Sequence, residues 1–293
     1  MSIEQLVPKD WAGKLSRLSI TTKSKLRGQH KGSHRSQRFG ASLDFSDFRE
    51  YSPGDDVRQI DWNVYARTDK YFIKRFLDEQ EMRVHILLDT TKSMGDSLKW
   101  TFAKQLAASL GILVLQRDDR LSFSTVNEGK KPPFRRKGST YRKAFIQTIS
   151  DLDEPEMSTT FTDNALPFLP KDSTVLFIIT DCLESMESWD RFLHKLPKFA
   201  GDIRILQVVT DEELAPAYGG DVQLEDIETL EQVNVSISSR VLEAFHRERK
   251  EHQQRLELLC HKFGIKILQV NADEGISHTM FSSITKSKLG AMR

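Results

Sequence analysis

Cysteine is scarce. The 293 residues hold two, Cys182 and Cys260, far apart in the chain. That excludes a disulfide framework and a zinc site of paired thiolates, and it fits a reducing compartment. An excess of either charge is also lacking. Lys plus Arg is 43 and Asp plus Glu is 42, so net charge selects no class of partner. Long apolar runs are missing too. Residues 175–179 are strand-sized, far short of the ~20 residues of a membrane helix, and the N-terminus carries no apolar signal region. The expectation is a cytoplasmic protein. No G-x-x-x-x-G-K-[ST] loop is present to cradle a nucleotide's phosphates.

What charge there is lies unevenly. Residues 9–38 are basic (Lys9, Lys14, Arg17, Lys23, Lys25, Arg27, Lys31, Arg35, Arg38), and 211–231 are acidic. The basic stretch could serve as a phosphate- or nucleic-acid-binding arm. It has no aromatic between Lys23 and Gln37 on which a base could stack, and a solvated, loop-rich segment is the favoured reading. That reading covers residues 22–38; within 1–20, apolar residues at helical spacing (Leu6, Trp11, Leu15, Leu18) predict a short amphipathic helix.

From Phe39 the texture changes. Acids, arginines and aromatics crowd together: Arg49, Asp55, Asp56, Arg58, Asp61, Trp62 and Arg67, with a Pro53-Gly54 turn among them. So many opposed charges beside rings predict a buried or half-buried ion-pair network that fixes a shape. Asp55 and Asp56 as metal ligands are the alternative. Residues 71–81 could form an edge strand leading into the next element.

That element is Arg83-Val-His-Ile-Leu-Leu-Asp89-Thr-Thr91-Lys-Ser93-Met-Gly95. An apolar run stops at an aspartate, and helical periodicity resumes from about Ser97. Strand, polar turn and helix make up an α/β ligand site at a strand's carboxyl end. Alternate residues of an extended turn point the same way, so Asp89, Thr91 and Ser93 can aim three oxygens at one point. That donor set suits a hard cation such as Mg2+, or Mn2+. A second apolar run, 173–180, reads as a strand buried on both faces and ends in Asp181. In a parallel sheet such ends share one edge, so Asp89 and Asp181 can converge. His85 lies within the first strand and reads as a core residue. A strand-end phosphatase would carry D-x-D, and position 91 is threonine, which speaks against a metal-dependent phosphohydrolase. The chain is therefore expected not to be an enzyme.

Two motifs together carry a resemblance. One is Gly28-x-x-x-Gly32-x-His34-Arg-Ser36, then Phe45-x-Asp47-x-Arg49-x-Tyr51-x-Pro-Gly-Asp-Asp-x-Arg58-x-Ile60-Asp61-Trp62 and Tyr65-Ala-Arg67-Thr68. The other is the D-x-T-x-S turn at 89–93. In this order they resemble domain-of-unknown-function family 58, whose members carry a von Willebrand factor type A-like domain with a metal-ion-dependent adhesion site. The resemblance implies that Thr160, in Thr160-Phe-Thr162-Asp-Asn-Ala165-Leu166, is a third metal hydroxyl; an N-cap is the other reading. It also implies a protein partner that supplies an acidic side chain, a MoxR-type AAA+ ATPase or its client. Two departures stand out: Thr91 replaces the usual serine, and Lys92 sits where a small or neutral residue is usual.

Strands and helices alternate from 83 onward, which predicts an α/β fold: a doubly wound, mostly parallel sheet flanked by helices. The expected layout is a signature region at 1–80 packed on the main domain, then a von Willebrand A-like domain at 81–286. A β-ribbon insertion is expected at about 211–238 and a mobile tail at 287–293.

Overall fold

The computed structural model describes residues 6–22, 31–39, 45–126, 132–155, 159–216, 220–225, 232–286 and 290–292. Lys23, Lys25 and Arg27 of the basic stretch and Gly28 of the signature lie outside these. The chain divides into two compact units, Met1–Lys25 with Arg83–Arg293, and Leu26–Met82. The first 25 residues thus belong to the larger unit, not to the signature region in which the sequence placed them.

The larger unit begins with helix α1 (Trp11–Leu15) and strand β1 (Leu18–Ile20). The expected helix is cut short because the chain is drawn into pairing. Trp11 donates its indole N–H to Ser109 (2.8 Å), and Arg117 donates to the Leu18 carbonyl. In the smaller unit, β2 (Lys31–Phe39), β3 (Phe45–Glu50) and β4 (Phe72–Gln80) form an antiparallel sheet with β4 in the centre. Two expectations fail here. Residues 31–39 are a strand rather than loop, and 72–80 is a central strand of this sheet rather than an edge leading into the next one. Local polarity hid both, because the pairing partners are distant in sequence.

The signature charges also work differently from expectation. Arg49 pairs with Asp55 at 2.7 Å, but half-exposed. Asp56 caps a turn of helix at Val57–Gln59 by accepting from Arg58 N–H, and Asp61 caps helix α2 (Trp62–Thr68) by accepting from Asn63 and Val64 N–H. These acids serve the chain's own backbone donors. Tyr65 and Tyr71 stack at 4.6 Å, and Trp62 stays exposed.

The main sheet has six strands: β5 (Arg83–Leu88), β6 (Arg120–Thr125), β7 (Phe134–Lys137), β8 (Ser173–Thr180), β9 (Ala200–Val209) and β12 (Lys266–Asn271). Between β9 and β12 the chain adds a self-paired ribbon, β10 (Gly220–Glu225) with β11 (Gln232–Ile237). The spatial order is β12-β9-β8-β5-β6-β7, parallel except for β7. Residues 134–137 are that antiparallel edge strand. From β5 the chain winds one way to β6 and β7. It then returns to β8 and winds the other way, so the topological switch point falls between β5 and β8.

Helix α3 (Ser97–Leu115) packs on this sheet. It is the one described helix long and apolar enough to cross a membrane, and 83% of its apolar stretch is buried within the protein. A helix apolar on all sides and so covered is a core helix. A Cβ at Gly111 would overlap the Phe145 ring, so glycine lets α4 (Arg142–Ser150) lie flush against α3. A second cluster joins Leu87, Ile178 and Ile205 of the strands to Trp189 and Phe192 of the helix at Met186–Lys195 and to Leu256 of the long helix at Ser239–Lys262. In the tail expected to be mobile, β13 (Gly290–Met292) pairs antiparallel with β1, and 287–289 and 293 lie outside the described residues.

Candidate metal centre

Asp89 follows β5 and Asp181 follows β8, so the two aspartates stand on neighbouring strands at the switch point. Asp89 N–H donates to the Ile179 carbonyl at 2.9 Å, which continues the ladder one residue past the strand. Asp89 is 1% exposed and Asp181 4%.

The turn after β5 folds back on its own aspartate. Thr91 donates twice to Asp89 Oδ1, from its backbone N–H at 2.9 Å and its hydroxyl at 2.7 Å. Ser93 Oγ lies 3.1 Å from Thr91 Oγ1. The other carboxylate oxygen, Oδ2, accepts from the Thr180 hydroxyl at 2.7 Å. Asp89, Thr91 and Ser93 are thus gathered in one place. Gly95 closes the turn, because a Cβ there would stand 2.8 Å from the Lys92 carbonyl oxygen.

Asp181 is held from several sides. Its Oδ1 accepts from Leu183 N–H at 3.3 Å, and its carbonyl accepts from the Gln207 amide at 3.3 Å. Cys182, the next residue, takes a left-handed backbone (φ 61°), unusual for a side chain with a Cβ. Its carbonyl accepts from His252 Nε2 at 3.0 Å. Burial, then neighbouring carboxylates, push the Cys182 thiol well above its usual range, so it is not a poised nucleophile.

The electrostatics of Asp89 are the distinctive feature. Burial first, and the charge of Asp181 second, push its carboxyl up to about 7, against the lowering effect of the Thr91 and Thr180 hydrogen bonds. Among the described residues, no Lys, Arg or His forms an ion pair with it. A buried carboxylate beside another carboxylate, flanked by hydroxyls and lacking a counter-cation, is matched to a hard cation. The residues fit a divalent ion on that ground. Protein ligands limited to Asp89, Thr91, Ser93 and Asp181 leave positions for water.

Thr160 is placed otherwise. It is exposed, its hydroxyl donates to Asp163 at 3.1 Å, and none of its contacts reaches Asp89, Thr91, Ser93 or Asp181. It stands at the N-cap position of the short helix Phe161–Asn164, but the capping acceptor is Glu184, which takes Phe161 N–H and the Thr162 N–H and hydroxyl.

Sequence reasoning missed Lys99. This lysine is 2% exposed, donates to the Ser93 carbonyl at 3.0 Å, and pairs with Asp181 at 3.4 Å and with Glu213. The available signal was a cation in the first turn of a mostly apolar helix, directly after the D-x-T-x-S turn.

An uncharacterised protein of Mycobacterium bovis and another of Mycobacterium tuberculosis are each 23% identical over 290 residues, covering 96% of this chain and 91% of theirs. Among solved structures, the chain is similar to the conserved hypothetical protein BatB from Bacteroides thetaiotaomicron (14% identity, 70% of this chain and 98% of that one, TM-score 0.33). It is also similar to the VWA domain of SpRpn10 (9% identity, 71% and 96%, TM-score 0.38). The family model described as protein of unknown function DUF58 matches residues 47–255, from the signature through both aspartates into the long helix, and the chain belongs to that family.

Proposed function

We propose that the chain is a non-enzymatic protein-interaction module whose docking centre is a divalent ion, Mg2+ or Mn2+, held by Asp89, Thr91 and Ser93 with Asp181 nearby. The observation that carries this reading is the buried Asp89 carboxylate with no counter-cation among the described residues, its oxygens already facing hydroxyl donors. With few anionic ligands the ion keeps net positive charge, and a partner's Asp or Glu completes its coordination. Apolar residues next in sequence to the site, Leu98 and Leu183, are 42% and 57% exposed and offer the partner a contact that water does not satisfy. The partner is a MoxR-type AAA+ ATPase or its client, as the family resemblance implies, in the assembly or maturation of other proteins.

The test is co-precipitation with such an ATPase in Mg2+ and in EDTA, comparing wild type with Asp89→Ala. Recovery should require both the ion and Asp89. Equal recovery in all four samples would sink the metal-bridged mechanism.

A further inference from the structure

The two aspartates are not equivalent. Asp181 has an internal cation and Asp89 has none among the described residues. The cation is held with unusual care. Lys99 is the third residue of α3, and its backbone N–H donates to the Asp96 cap at 2.8 Å, which fixes where its side chain starts. Its ammonium has three N–H donors and meets three acceptors: the Ser93 carbonyl at 3.0 Å, Asp181 at 3.4 Å, and Glu213. Glu213 is in turn fixed by a capping box with Thr210. A lysine is almost never this buried unless it is paired, and here its acceptors include the backbone of the very turn that carries Thr91 and Ser93.

We propose that Lys99 is a specificity-determining residue of the ion site: a built-in cation that neutralises Asp181 and leaves the incoming divalent ion to Asp89, Thr91 and Ser93. This rests on the ion-site reading above and extends it. Two carboxylates alone would balance a doubly charged ion. With the ammonium against Asp181, one of those charges is already countered, and the ammonium also repels the ion directly. The ion is then bound more loosely and stays under-neutralised, which is the state that draws a carboxylate from a partner. Glu213 offsets the ammonium from its other side, but it is 27% exposed and partly screened by solvent.

The test is a Mn2+ titration of the full chain by calorimetry and by electron paramagnetic resonance, on wild type, Lys99→Met, Lys99→Arg and Glu213→Gln. Loss of the charge in Lys99→Met should tighten Mn2+ binding roughly tenfold or more. Lys99→Arg should stay within about threefold of wild type, because the charge is retained. Glu213→Gln, which leaves the ammonium less countered, should weaken binding several-fold. A purely structural lysine would not move the two neutralising variants in opposite directions. Lys99→Met is expected to lower metal-free thermal stability and to regain it at saturating Mn2+. If it does not fold, the Glu213→Gln and Lys99→Arg arms carry the decision. Wild-type binding with unchanged affinity in Lys99→Met or Glu213→Gln overturns the role of Lys99 alone. Absence of Mn2+ binding in every variant overturns both this role and the ion site, and binding that appears only in Lys99→Met supports the role of Lys99 while refuting the ion site of the native chain.

Discussion

At the start of β9, on the amino edge of the main sheet, Asp202 lies between Arg204 (2.7 Å) and Lys266 (3.1 Å). At the carboxyl edge of the same sheet, Asp89 lies beside Asp181. Burial pushes both Asp202 and Asp89 upward. At Asp202 the hydrogen bonds and charges of Arg204 and then Lys266 outweigh it, and the carboxyl ends below the usual range. At Asp89 no cation among the described residues answers, and it ends at about 7. The first cluster is closed: cations are supplied in full, and Arg204 also grips the Thr21 carbonyl, pinning the N-terminal segment. The second is left open on one side. The Asp202 carboxylate is completed by cations of the protein itself, whereas the Asp89 carboxylate, among the described residues, is not, and that difference is what the ion-site proposal rests on.

The comparison can be broken from either end. Arg204→Leu should have the largest effect, a loss of about 3–5 kcal/mol in urea unfolding, because it strips the main counter-charge from a buried carboxylate. Its response to Mg2+ should match wild type, and a lost response would mean the two clusters are not independent. Asp89→Asn should do the reverse: at pH 8 without metal it should raise stability by roughly 2 kcal/mol and abolish stabilisation by Mg2+. The sign follows from the raised folded pKa. The folded state binds the Asp89 proton more tightly than the unfolded chain, so the aspartate costs stability as pH rises from the ordinary carboxylate range to about 7. The stability gap between Asp89→Asn and wild type should therefore widen over that window and then level off.

His85, four residues earlier, acts in the opposite sense. It is wholly buried, its Nε2 lies 3.0 Å from Ser124 Oγ, and burial, then the charge of Arg135, lowers it to about 3. The unfolded chain takes up this proton first, so the stability it contributes is present above about 6.5 and is lost as pH falls toward 3. His85→Leu should flatten the acid side of the stability profile by about 1–2 kcal/mol at pH 5, measured by chemical unfolding across pH. A wild-type slope in that variant would place the acid lability elsewhere. Smallest of all, Thr160→Ala should change stability by less than about 0.5 kcal/mol and leave the Mg2+-induced shift in Tm near wild type, because its hydroxyl faces Asp163. A lost ion response would instead bring Thr160 into the site.

Much of this architecture is written in local patterns. The apolar runs that end at Asp89 and Asp181 come out as β5 and β8, and their parallel pairing brings the acids together as the alternation of strand and helix implies. The helical periodicity that resumes from about Ser97 comes out as α3. What escaped was information carried by partners far away in sequence. The strand at 290–292 exists because it meets Leu18–Ile20, and the strand at 31–39 because it meets β4. Lys99 escaped for the same reason: its acceptors come from three separate segments, and only Ser93 is near it in the chain. Thr160 shows the converse. A motif can mark the right loop while the hydroxyl turns toward its own helix.

Among the described residues the β10–β11 ribbon pairs only with itself, and its first and last residues, Gly220 and Ile237, sit directly opposite one another in the register. The chain therefore leaves the main unit and re-enters it within one strand spacing, about 5 Å. Such an excursion is interchangeable: a short glycine link could replace it, or another module could be spliced in, without altering the path on either side.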